Sequence, residues 1–102
     1  QQRYAEALPY LEASNDLEET AAARRMIGSI LLQRGDRAAG IEHLARAVAL
    51  DPRDTVALYN LAGAYALDGQ YDRARQAAAR LLQLRPDHAD GRRLLASLPA
   101  TP

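Results

Sequence analysis

The chain has 102 residues with 13 basic and 13 acidic side chains, and it contains no Phe, Trp or Cys, which bounds it to one domain with a small core. Balanced charge weakens a reading as a non-specific nucleic-acid binder, because phosphate neutralisation supplies most of that affinity, and without Cys there is no disulfide, thiolate nucleophile or thiolate metal site. No apolar run approaches the ~20 residues of a membrane span, and 22 Ala with 16 Leu make the expected class all-α.

In chain order the first element is "RYAEALPYLEAS", a helix over 3–14. Pro9 withholds one hydrogen bond near its start, so it bends the helix without breaking it. A second helix is expected over 17–34, with Ile27, Gly28 and Leu31 on its buried stripe and Gly35 as its stop. The third, 37–50, buries Ile41, Leu44 and Val48 and ends before Pro52. The fourth, 54–68, places Leu58, Leu61, Ala62 and Tyr65 at i, i+3, i+4 and i+7, one face of a helix. Asp54 or Thr55 caps its start, and Gly69 stops it in the left-handed region. The fifth, 71–84, carries Tyr71, Ala74, Ala78, Leu81 and Leu82 inward and stops before Pro86, with Arg85 biased towards extended backbone. The sixth, 88–98, takes Asp87 as its cap and Leu94, Leu95 and Leu98 as its buried stripe. Residues 99–102 form a proline-rich tail.

Sliding the sequence by 34 residues exposes a repeat. Between 21–54 and 55–88 the identities are Ala23/Ala57, Gly35/Gly69, Ala45/Ala79, Arg46/Arg80, Leu50/Leu84 and Pro52/Pro86. Their placement matters more than their number: glycine recurs at mid-repeat and proline near the end. Gly28 and Gly40, with Ala62 and Ala74 as their counterparts, fall where the two helices of one hairpin should approach most closely, so a large side chain there would force them apart.

These residues resemble the tetratricopeptide repeat (TPR) family, whose unit is a 34-residue helical hairpin. The resemblance rests on "LAGAY" (61–65), "GQYDRA" (69–74) and "LRP" (84–86), and on "IGSIL" (27–31), "GDRAAG" (35–40) and "LDP" (50–52). Leu31 replaces the family's aromatic residue, and Arg24 stands where a large apolar one is usual. The resemblance implies antiparallel hairpins stacked in a right-handed superhelix: two full repeats, 21–54 and 55–88, flanked by the second helix of a truncated repeat at 3–14 and a capping helix at 89–98. It further implies a concave groove for a protein or peptide partner, lined by the first helix of each repeat. The matching positions are Arg25, Met26, Ser29 and Gln33, then Tyr59, Asn60, Gly63 and Leu67, and lastly Asp90, Arg93, Leu94 and Ser97. They fall outside the buried stripes, yet include the aromatic, amide and arginine types that anchor partners. Some family members clamp the C-terminal carboxylate of heat-shock chaperones. Arg25 and Asn60 fit two of those places, but Ser29, Asp90 and Leu94 do not fit three others, and we reject that role.

Nothing in the chain assembles catalytic chemistry. His43 and His88 are the only histidines, 45 residues apart; we expect His43 to face outward and His88 to be solvated or capping, with no metal and no cofactor bound. "GAYALDG" (63–69) lacks the Lys-Ser/Thr of a phosphate loop. The expectation is therefore a non-catalytic interaction scaffold. The alternative is a C-terminal appendage of a larger bacterial enzyme or assembly factor, packing on its own neighbouring domain. All 13 basic residues are Arg, which points to a GC-rich bacterial source, and we expect a cytoplasmic or periplasmic protein. The start at Gln1 reads as a cut in a longer chain. The helix at 3–14 would then lack its covering partner, leaving Tyr4, Leu8 and Leu11 for self-association or for upstream chain.

Overall fold

The computed structural model describes residues 20–99, and the expectations for 3–14, including the patch of Tyr4, Leu8 and Leu11, lie outside them. Within those residues are five helices: α1 Ala21–Gln33, α2 Arg37–Leu50, α3 Thr55–Leu67, α4 Tyr71–Leu84 and α5 Ala89–Ser97. The chain divides after Pro52 into two compact units, the first holding α1 and α2 and the second α3, α4 and α5.

In the first unit α1 begins after Thr20, whose extended backbone ends the possibility of an earlier helical start within the described chain and whose hydroxyl oxygen accepts from the Ala23 amide at 3.0 Å. This relieves one of the four amides that a helix start leaves without an internal acceptor. Thr20, expected inside this helix, is thus its cap, and the expected start at residue 17 lies outside the described residues. At the other end the chain leaves α1 through Gly35 with φ 88°. The Gly35 amide donates to the Leu32 carbonyl at 3.1 Å and the Asp36 amide to the Leu31 carbonyl at 2.8 Å. That double closure needs a left-handed residue, which is why glycine stands there.

The two helices then meet at their glycines. A Cβ on Gly28 would lie 3.0 Å from the Gly40 carbonyl oxygen, and one on Gly40 would lie 3.1 Å from the Gly28 oxygen. Both glycines are buried, as expected from their spacing. Around them Ile27, Ile30 and Leu31 form one apolar cluster with Ala39 packed against it, while Leu44 and Ala47 are fully buried on α2. Ile41 and Val48 are only half-buried.

One polar contact crosses this hairpin. The Arg24 guanidinium sits 3.1 Å from His43 Nδ1; since guanidinium can only donate, the imidazole accepts. His43 is half-buried, so the expectation that it faces outward is corrected. The departure at Arg24 is matched by a hydrogen-bonding partner 19 residues on.

The second unit repeats the local chemistry. Asp54 caps α3, accepting from the Ala57 amide at 3.1 Å. Gly69 has φ 78°, its amide donates to the Ala66 carbonyl at 3.1 Å, and the Gln70 amide reaches the Tyr65 carbonyl at 2.9 Å. Here the close positions are Ala62 and Ala74, both fully buried, so this hairpin has room for one methyl on each side. Leu58, Leu61 and Tyr65 are buried as the helical spacing requires. Arg73 places its guanidinium 6.0 Å from the Tyr65 ring centre, a cation–π distance. Tyr71, in contrast, is 40% exposed. It opens α4 beside the turn, where α3 has already ended at Leu67, so its ring has little to pack against, and its place in the buried stripe is corrected.

Arg85 adopts φ −138° and ψ 85° before Pro86, the extended form that proline imposes on its predecessor, and α5 follows. Its cap is His88, not Asp87: the ring Nδ1 accepts from the Gly91 amide at 2.8 Å. Gly91 is the buried residue of this helix. Ala62, Ala77 and Ala78 form a small-residue cluster against which Leu94 and Leu95 pack, half-buried. Beyond α5 the Pro99 carbonyl accepts from Arg75, tying the end of the described chain back to α4.

Candidate functional site

The positions expected to meet a partner separate by unit. On α1, Arg25, Ser29 and Gln33 lie at i, i+4 and i+8, one face of the helix, with Met26 beside them. Arg25 and Ser29 are half-buried and engaged in interactions of their own. Gln33 is exposed, and Met26 is 46% exposed. Met is polarisable and adaptable, a common choice where a surface must fit another chain.

The second unit gathers more. On α3, Val56, Asn60, Gly63 and Leu67 fall at i, i+4, i+7 and i+11, a single stripe along the helix. Its two ends are apolar and open to solvent: Val56 is 54% exposed and Leu67 is 71% exposed. In the middle is Gly63, half-buried, beside which a Cβ would meet nothing within 4 Å among the described residues. Glycine inside a helix costs about 1 kcal/mol relative to alanine. At Gly28 the close approach of a neighbouring helix accounts for that cost; at Gly63 no contact among the described residues does. Val56 was not among the sequence-derived positions, because α3 is apolar on nearly every side.

Tyr59 flanks this stripe, half-buried, with its ring 5.5 Å from that of His88 and tilted by 36°. The contact joins α3 to the start of α5, so the expected residues of both helices share one unit and touch through this pair. On α5, Asp90 and Arg93 are exposed and form an ion pair one turn apart, a solvated contact of small energetic weight. Ser97 donates to the Leu94 carbonyl at 2.8 Å, which satisfies its hydroxyl within the helix, and Leu94 turns inward to the alanine cluster. The exposed offering of this unit is therefore an apolar stripe with an amide at its centre, bordered by an aromatic ring and a paired arginine. Asn60 is itself already engaged.

Among the described residues no group of three His, Cys, Asp or Glu is placed to hold a metal ion. No described helix is long and apolar enough to cross a membrane.

The chain is similar to known proteins over nearly all its length. It aligns with the crystal structure of MamA at 25% identity and TM-score 0.86, covering 90% of this chain and 54% of MamA. It aligns with YrrB, described as a TPR protein with an unusual peptide-binding site, at 26% identity and TM-score 0.85, covering 92% of this chain and 49% of that one. The first TPR of Spaghetti (RPAP3), bound to the HSP90 peptide SRMEEVD, shares the fold at TM-score 0.88 and 21% identity, over 94% of this chain and 77% of that one. The chain thus spans about half the length of the MamA and YrrB structures. No curated protein matches it significantly. Two tetratricopeptide repeat family profiles match, one over residues 31–98 and one over residues 1–54. With two helical hairpins, left-handed glycines and pre-helical prolines at one 34-residue interval, and profiles matching more than half of its length, the chain belongs to the tetratricopeptide repeat family.

Proposed function

We propose that this chain is a non-catalytic interaction module that takes a peptide or partner segment on the open face of its second unit, carried by the α3 stripe with Tyr59, Asp90 and Arg93; Met26 and Gln33 on α1 give the first unit an exposed face of its own. The observation that carries the reading is the stripe Val56–Asn60–Gly63–Leu67, beside whose central glycine a Cβ would meet nothing within 4 Å among the described residues and whose outer residue is 71% exposed. An exposed apolar strip with a gap at its centre suits a partner backbone lying close along the helix, since glycine permits close approach. The peptide-binding site described for YrrB, a relative at 26% identity, supports the same class of function. A ligand as acidic as the HSP90 peptide held by RPAP3 fits poorly, because Asp90 is exposed on this surface and already takes up Arg93.

The test uses a displayed library of random peptides, panned against the 102-residue chain, with selected peptides measured by calorimetry. Tyr59→Ala combined with Arg93→Ala is expected to abolish their binding while leaving the helical circular dichroism unchanged. Undiminished binding by the double variant would sink this surface as the site.

Gly63→Ala is the sharper single change. It adds a methyl into open space, so it should raise unfolding stability by about 0.5–1 kcal/mol through helix propensity and lost unfolded-state entropy. The same methyl should weaken the selected peptides, because it occupies the gap proposed for the ligand. A variant that is stabilised and binds as well as the parent would show that the gap is not used.

A further inference from the structure

We propose that His88 makes the start of α5 sensitive to protons, so that acidification releases the cap of this helix and loosens the surface built on it. The cap is assembled around one ring nitrogen. His88 Nδ1 accepts from the Gly91 amide at 2.8 Å, which requires a bare lone pair on that nitrogen, and a proton there turns the acceptor into a donor facing a donor. Capping positions fall at one interval: Thr20, Asp54 and His88 are 34 residues apart, and each accepts from the amide three residues on. Of the three, only the histidine changes between acceptor and donor over the range in which imidazole titrates.

The surroundings are fitted to this ring. A Cβ on Gly91 would come 3.0 Å from His88 Nδ1 and 2.7 Å from Leu81 Cδ2, whereas the matching residue under the Asp54 cap is Ala57. Glycine is thus the residue that lets a bulky imidazole cap close over a helix pressed against α4. On its other side the ring meets Tyr59 of α3. The titratable and charged groups around His88 are that Tyr59, Arg85 at the end of α4, whose carbonyl accepts the His88 amide at 3.1 Å, and Asp87, Asp90 and Arg92 on the chain about the helix start. Whatever these groups contribute, a ring protonated at Nδ1 cannot accept from Gly91. It must turn away from the amide, and with that it leaves its packing on Tyr59.

The consequence for a partner rests on the interaction surface proposed above; the consequence for the helix does not. The experiment follows amide exchange and ring signals by NMR in the partner-free chain from about pH 8 to about pH 5, the interval in which imidazole takes its proton. Protection of the Gly91 amide is expected to fall roughly five- to tenfold, the scale of a lost cap, in step with the His88 ring protons, and the Tyr59 ring signals should shift over the same interval. His88→Asn, which keeps a capping oxygen without the proton site, should hold Gly91 protection level across the range. His88→Ala should show the reduced protection at both ends. Gly91 protection that stays constant while the His88 ring takes up its proton would overturn the proposal, as would an equal pH response in His88→Asn, which would assign the change to Asp87 or Asp90. Failure of the surface reading would appear separately, as an absence of peptide binding at every pH.

Discussion

Gly28→Leu is expected to destabilise the chain by about 3 kcal/mol, at the upper end of the range for overpacking, and Gly40→Leu by about 1–2 kcal/mol. The two glycines face each other across the same hairpin, so their difference lies in what surrounds each. A Cβ on Gly28 would stand 2.7 Å from Leu44 Cγ, 3.0 Å from the Gly40 carbonyl oxygen and 3.1 Å from the Leu44 amide nitrogen. Two of these atoms are backbone, and the third is the branch carbon of a fully buried side chain. None can swing away without moving α2. A Cβ on Gly40 would also meet backbone, the Gly28 carbonyl oxygen at 3.1 Å, but its two tightest contacts are Leu32 Cγ at 2.8 Å and Cδ2 at 2.9 Å. Leu32 is half-buried near the end of α1, and its side chain can turn towards solvent. Both substitutions recover up to about 1 kcal/mol of helix propensity, which offsets part of the strain at Gly40 and little of it at Gly28. Urea unfolding of both variants measures the difference. Equal losses, or a neutral Gly28→Leu, would mean that the hairpin spreads more readily than its contacts indicate.

Much of this fold is legible in the sequence because its punctuation is local. Gly35 and Gly69 are needed by a left-handed backbone, and a proline constrains the residue before it wherever it stands. These signals depend on one or two residues, so a 34-residue shift aligns them. The buried stripes of α1 and α3 follow from helical spacing for the same reason. What escaped depends on distant partners or on the identity of an atom. Arg24 looks like a misplaced surface charge until His43 is brought across the hairpin to accept from it. Asp87 is the more conventional cap by residue type, and the preference for carboxylates hid the repeat position, which continues from Thr20 and Asp54 to His88. In α3 the run "TVALYNLAGAYAL" is apolar on nearly every side, so periodicity alone cannot separate buried Ala57 from exposed Val56. The candidate surface was therefore readable at Tyr59, Asn60 and Gly63 through family resemblance, and its apolar end at Val56 only through exposure.

Leu81→Ala carries the other large expected effect, a loss of about 3–4 kcal/mol. Leu81 is fully buried, and its Cδ2 would stand only 2.7 Å from a Cβ on Gly91, so it fills the space between α4 and the start of α5. Removing a buried leucine side chain costs the transfer of its methyl groups plus the cavity left behind, and the total grows with the volume that stays empty. Collapse is hard here. Ala62, Ala74, Ala77 and Ala78 are all buried and have no length to extend into the gap, and Gly91 has no side chain at all. The nine-residue α5 has little else to hold it: Gly91 is its buried residue, Leu94 and Leu95 are half-covered against the alanine cluster, and most of its packing is on α4. Too short to be stable alone, α5 should lose protection in amide exchange before the α3–α4 hairpin does. Leu82→Ala, one residue along at a half-buried position, should cost about 1 kcal/mol and leave α5 protected. A Leu81→Ala variant that unfolds like Leu82→Ala, or that retains full protection at Gly91, would show that α5 is held by contacts other than this leucine. If the loss follows the larger figure, the residue that anchors the capped end of α5 is the same one whose bulk requires glycine at position 91. Changes at Leu81 and Gly91 should then be non-additive when combined, since the two sites share one cavity.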